Sequence, residues 1–166
     1  MERYPLESLL SVRNYREEEA SRAVRHAEEN VRLAENAITA RKEELKQYRE
    51  WRILEEDRRY DAIMGKLCSL KELDDLKAGF AQLAAQEVAK EQAVLKAEND
   101  LADSRKNLDN ARVCAKTAQK ETAKIRAHKD IWTAEEKKEA ERKEDLELEE
   151  FRPLSRKGAE AEGEDA

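Results

Sequence analysis

The chain has 166 residues, of which 43% are charged and 5% aromatic, with only four Gly and two Pro. That excludes the turn-rich compact domain such a length would otherwise suggest, and it suits long solvated helices. The net charge of −6 is uneven, because residues 134–166 hold 13 acidic and 7 basic residues while acids and bases balance before them. A neutral body with interspersed signs gives no footprint for a phosphate backbone or an anionic membrane, so nucleic acid is not an expected partner.

The opening MERYPLESLL lacks a basic stretch followed by an apolar core and a cleavage site, and no apolar run approaches bilayer length. A cytoplasmic protein without membrane insertion is expected. The only cysteines, Cys68 and Cys114, fall at the expected turn and in mid-helix, and are expected to be far apart and reduced.

The first helix is expected over about residues 5–66, with Pro5 suited to the first helical position. Ala20, Val24, Ala27, Val31, Ala34, Ile38, Arg41, Leu45, Tyr48 and Arg52 alternate in steps of four and three, a heptad stripe with two polar entries. Beyond Arg52 the apolar stripe resumes one position out of phase at Ile53, Tyr60, Ile63 and Leu67, which predicts a stutter and a locally unwound seam near residues 48–56.

A short turn is expected near residues 66–69. There Ser69 and Glu72 have capping-box spacing, and Gly65 fits the end of a helix better than its interior. Gly79 lies inside the second helix, where only close packing or a functional contact would account for it.

The second helix is expected over about residues 69–150. Its stripe runs through Leu73, Leu76, Phe80, Leu83, Glu87, Lys90, Val94, Ala97, Leu101, Ser104, Leu108, Ala111, Ala115, Ala118, Thr122, Ile125, Lys129 and Trp132 without a break. Arg152-Pro153 is expected to end it, leaving residues 152–166 as a disordered acidic tail after a hairpin domain over residues 1–151.

A turn centred near residue 68 sets each residue of the first helix opposite a definite region of the second. Ala20, Ala27 and Ala34 then meet the region of Ser104, Ala111 and Ala118, so two rows of small side chains coincide and the backbones can approach closely. The expected fold is all-α, a long antiparallel two-helix coiled-coil hairpin and a monomer, with arms of about 90 Å and the second helix overhanging the first. Arg52 falls near Glu87, and an ion pair is expected between them.

A two-helix fold has no walled pocket to shift pKa values, so catalysis, cofactors and metals are not expected. His26 and His128 each lack a second histidine at ligand spacing, and Gly65-Lys66 lacks the first glycine and the following hydroxyl of a phosphate loop. Acid pairs such as Glu135-Glu136 alternate with Lys138 and Lys143 as on a solvated helix face. The large side chains Tyr48, Trp51, Ile53, Tyr60, Ile63, Met64 and Phe80 gather where the seam is irregular; Trp51 is off the stripe and is expected to be exposed.

The opening Tyr4-Pro5-Leu6-Glu7-Ser8-Leu9-Leu10-Ser11-Val12-Arg13, followed by Tyr15-Arg16-Glu17-Glu18-Glu19-Ala20, resembles the start of the type III secretion stalk proteins, the YscO/FliJ-like family. Length, heptad layout and mid-chain turn extend the resemblance over the whole chain. It implies a cytoplasmic coiled coil, similar to the central stalk of rotary ATPases and peripheral to the inner-membrane apparatus. Such a protein sits at the secretion ATPase hexamer, couples it to the cytoplasmic domain of the export gate, and binds secretion chaperones or a needle-length regulator.

Flagellar members carry a gate-contacting patch of Gln, Leu, Tyr and Tyr at four-, three- and four-residue steps on helix one, facing Phe, Leu and Ala on helix two. Arg41, Leu45, Tyr48 and Arg52 hold that spacing here, with Phe80 and Ala84 opposite. Leu45, Tyr48 and Phe80 agree with the pattern, whereas Arg41, Arg52 and Ala84 depart from it. With Trp51, these are the expected protein-contact residues. The competing expectation is a coiled-coil scaffold or tether with no ATPase partner.

Overall fold

The computed structural model describes the backbone of residues 2–161 and the side chains of residues 2–152. Among these residues there is no strand. Two long helices, α1 (Glu7–Asp61) and α2 (Leu70–Ala161), are joined by residues 62–69 into an antiparallel hairpin. Contacts divide the chain into two units: Ser21–Val113, and one built from the chain ends, Met1–Ala20 with Cys114–Ala166.

Helix α1 begins two residues after Pro5, which sits in the turn before it. It stops at Asp61, short of the expected 66, because its last turn tightens. The Ile63 amide bonds back three residues to the Tyr60 carbonyl, and Lys66 bonds likewise to Ile63. Gly65 then takes φ 76, a left-handed backbone open to glycine without strain. The start of α2 is the expected capping box: the Ser69 hydroxyl accepts from the Glu72 amide at 3.2 Å, and the Glu72 carboxylate accepts from the Ser69 amide at 3.1 Å.

In the Ser21–Val113 unit the heptad stripes face each other. Ala27, Leu45, Leu83, Val94, Ala97 and Leu108 are buried, with Val24, Val31, Ala34, Ile38, Leu101, Ser104 and Ala111 half-buried between them. Two helices without a third layer can cover only the stripe turned toward the partner, which is why small side chains alternate with aliphatic ones.

Polar pairs flank that seam at constant intervals. Arg49 meets Glu91 at 2.7 Å, Lys42 meets Glu98 at 3.8 Å, Glu35 meets Arg105 at 3.5 Å and Glu28 meets Arg112 at 3.8 Å. Each step of seven up α1 is a step of seven down α2, and the sign reverses halfway. These side chains are well exposed, so each pair contributes only about 0.2–1 kcal/mol. Their arrangement nevertheless fixes the register: a seven-residue slip sets either Lys42 against Arg105 or Glu35 against Glu98.

In the unit of the chain ends, Thr122 is fully buried. Its hydroxyl lies 3.0 Å from the Ala118 carbonyl and 3.3 Å from the Arg13 carbonyl on α1. Arg13 pairs with Glu121, and Lys129 pairs with Glu7 at 2.8 Å. Tyr4, four per cent exposed, closes this unit. Its ring centroid lies 5.4 Å from that of Trp132 and 5.8 Å from that of His128, its hydroxyl is 2.8 Å from His128 Nδ1, and Lys129 Nζ stands 5.9 Å from its centroid.

Beyond Trp132 no residue of α1 is hydrogen-bonded or ion-paired to α2 among the described contacts, and residues 133–152 are exposed apart from Glu136 and Glu139. The helix runs on to Ala161, past the end expected at Arg152-Pro153. A proline removes one amide donor, and good helix formers on both sides of it carry the backbone through. The expected disordered tail therefore does not start at residue 152, and its last part, 162–166, lies outside the described residues.

Candidate protein-interaction site

The expected contact residues all belong to the Ser21–Val113 unit, and the heptad spacing brings them to one stretch of the seam. Leu45 is buried, and Tyr48, Arg52, Phe80 and Ala84 are half-buried. The Tyr48 hydroxyl donates to the Leu83 carbonyl at 2.7 Å, with Gln86 Oε1 at 3.2 Å; desolvation raises its pKa. Lys90 Nζ stands 5.5 Å from the Tyr48 ring centroid, and the Trp51 ring leans against Tyr48 at 5.5 Å between centroids.

Glu87 joins the helices. It accepts from Arg49 at 2.8 Å and from Arg52, as the sequence register anticipates, and Arg52 also binds Glu56 at 2.6 Å. Hydrogen bonds from Arg49 and then Arg52 lower the Glu87 pKa. The hydrogen bonds that Arg52 donates to Glu56 and then to Glu87 raise its own pKa.

Leu45, Tyr48 and Arg52 thus hold α1 to α2. Arg41 is exposed and bonds to Glu44 on its own helix at 2.9 Å, and Trp51 is exposed as expected. These two are the members of the patch turned outward.

The expected shift of phase does not occur directly after Arg52. The seam continues in phase through Glu55 and Arg59, both half-buried, while Ile53, Tyr60 and Leu67 are exposed; the shift comes only at Ile63, which lies four residues after Arg59 and is half-buried as the shifted stripe expects. Charged residues can occupy the seam because they satisfy one another. Glu55 accepts from Arg58 at 2.6 Å and from Arg59 at 2.9 Å, and these bonds hold its carboxyl down at about 2. Arg59 also finds room against Gly79 on α2. Beside it, an open cleft of about 550 Å³ is lined by Arg58, Ile63, Lys66, Leu67, Glu72 and Leu76, among others.

Among the described residues no group of three or more His, Cys, Asp or Glu side chains is placed to hold a metal ion, and no helix is long and apolar enough to cross a membrane. Cys68 and Cys114 are exposed free thiols. Sequence reading missed the Tyr4 clasp and the charged ladder. The sign reversal from Lys42 to Glu35 and from Glu98 to Arg105 was the available signal for the ladder.

The geometry is that of an all-α hairpin whose seam is filled by its own side chains. The sequence profile of the type III secretion protein YscO matches residues 6–153, and the chain belongs to that family.

Two solved structures share the fold. YscO from Vibrio parahaemolyticus is 28% identical, with a TM-score of 0.80 over 88% of this chain and 92% of that one. A YscO homologue from Chlamydia trachomatis is 25% identical, with a TM-score of 0.71 over 97% of this chain and 99% of that one. None of the curated proteins compared with the chain matches significantly.

Proposed function

We propose that the chain is the cytoplasmic stalk and adaptor of a type III secretion ATPase. It couples the ATPase hexamer to the cytoplasmic domain of the export gate and takes up secretion chaperones or a needle-length regulator. It works by contact and not by catalysis, as a monomer peripheral to the inner-membrane apparatus.

Membership of the YscO family supports this reading, together with one geometric observation. The seam closes within the chain through Leu45, Tyr48, Arg52 and Glu87, so no second copy is needed to complete it, and Arg41 and Trp51 face outward beside it. Exposed aromatic and arginine side chains on a rigid helix pair are effective anchors for a protein partner.

Titrating the purified chain into the cognate secretion ATPase is expected to promote hexamer assembly and raise turnover. Unchanged assembly and turnover would remove the ATPase from its partners. Capture of the export-gate domain is expected to weaken in a Trp51→Ala, Arg41→Ala variant that keeps its helicity.

A further inference from the structure

The residues that the seam leaves out near the turn form a second stripe of their own. Ile53, Tyr60 and Met64 are separated by seven and four residues, and the Met64 amide still bonds to the Tyr60 carbonyl at 3.1 Å, so all three lie on one helical face. They are 62%, 51% and 57% exposed, and Leu54 beside them is 70% exposed. This face is distinct from Leu45, Tyr48 and Arg52, which lie along the seam with α2.

A row of carboxylates runs parallel to the stripe. Glu50, Asp57 and Asp61 repeat the same steps of seven and four three positions earlier, all are exposed, and none has a hydrogen-bonding or ion-pairing partner among the described residues. The nearby acids Glu55 and Glu56, in contrast, are bound by arginines of α1.

We infer that this face of α1 is a docking surface for a helix of another protein, one with an apolar heptad stripe flanked by lysine or arginine. The heptad spacing of Ile53, Tyr60 and Met64 fits a third helix laid along α1, and the unpaired carboxylates select a basic flank. A second copy of this chain would bring suitable apolar side chains but carboxylates where cations are needed. The inference goes beyond the stalk role and does not depend on the ATPase.

The probe is a fluorescein-labelled helical peptide of about three heptads, with Leu on the stripe and Lys at the flanking positions, titrated with the full chain. A second peptide carries Glu at those flanks. The Lys peptide is expected to bind, at least about tenfold more tightly than the Glu peptide, and to weaken as salt is raised.

Tyr60→Glu should abolish that binding, and Leu95→Glu, at an equally exposed position on α2, should leave it unchanged. Asp57→Lys with Asp61→Lys should reverse the preference. All these side chains are exposed, so circular dichroism should report an intact hairpin in each variant.

Equal binding of the two peptides would overturn the inference, as would equal losses in Tyr60→Glu and Leu95→Glu. So would a chain mass that doubles with concentration and reverts in Tyr60→Glu, which would assign the stripe to a second copy. No secretion component enters this assay, so its outcome is independent of the ATPase titration.

Discussion

Arg59 lies across Gly79: a Cβ at position 79 would stand 3.0 Å from Arg59 Nη1. Gly79 leaves room there for a charged side chain at the seam. The obstructing atom is the free end of a flexible side chain that is one-third exposed. Gly79→Ala is therefore expected to stabilise the chain by about 0.5–1 kcal/mol through helix propensity, read as a higher urea midpoint. Gly79→Leu should destabilise it by displacing Arg59 from α2.

Acid should loosen the turn-proximal seam. Arginine hydrogen bonds hold Glu87 below its ordinary value of 4.5 and Glu55 down at about 2. A carboxylate with a lowered folded-state pKa stabilises the fold fully above its unfolded value, and that contribution is lost as pH falls through the folded value. The thermal midpoint should drop between about pH 5 and about pH 2, less steeply in Glu87→Gln, and high salt should flatten the profile in both.

Reversing one rung of the ladder and then restoring it tests the register argument. Glu35→Arg faces Arg105 and is expected to cost about 0.2–1 kcal/mol, regained when Arg105→Glu is added. Chemical denaturation of the four members of the cycle measures the coupling. Additive effects would show that the two side chains do not sense each other.

Thr122 tests packing in the unit of the chain ends. Thr122→Val keeps the shape and loses one bond to a backbone carbonyl, at a cost of about 0.5–1.5 kcal/mol. Thr122→Leu forces a larger side chain into a site with no exposure and is expected to cost about 1–3 kcal/mol.

Removing the clasp should expose Trp132. In a Trp51→Phe background, which leaves Trp132 as the sole tryptophan, Tyr4→Ala is expected to shift the emission to the red, with Tyr4→Phe close to the parent.

The hairpin was legible in the sequence because apolar spacing is a direct image of which helix face is covered. All but the first residue of the α2 stripe, from Leu76 to Trp132, is buried or half-buried, and the register that placed Arg52 near Glu87 holds. Apolar spacing misled beyond Arg52. It moved the seam to Ile53 and Tyr60, whereas packing on either side kept the helix in phase and drew in Arg52, Glu55 and Arg59. Charge in a seam looks like a defect until its partners are known, and here they are one turn away or on the opposite helix.

Heptad spacing puts Arg41, Leu45 and Tyr48 on one stripe and Trp51 off it, but spacing alone does not separate Leu45 and Tyr48, which close the seam, from Arg41, which is exposed. Tyr4 was invisible to periodicity because it precedes the first helical turn.

The clasp also carries a consequence for assembly. Tyr48 and Leu83 lie 35 positions apart in the chain, Tyr4 and His128 lie 124 apart. Closing the larger loop directly from the unfolded chain costs about 1 kcal/mol more in entropy than closing the smaller, and that difference vanishes once pairing has advanced from the turn. The hairpin is thus expected to zip from residues 62–69 outward, with the tyrosine engaging last and releasing first. Amide exchange should be slowest along α1 near Leu45 and fastest in its first turns, beside the Tyr4–Trp132 contact.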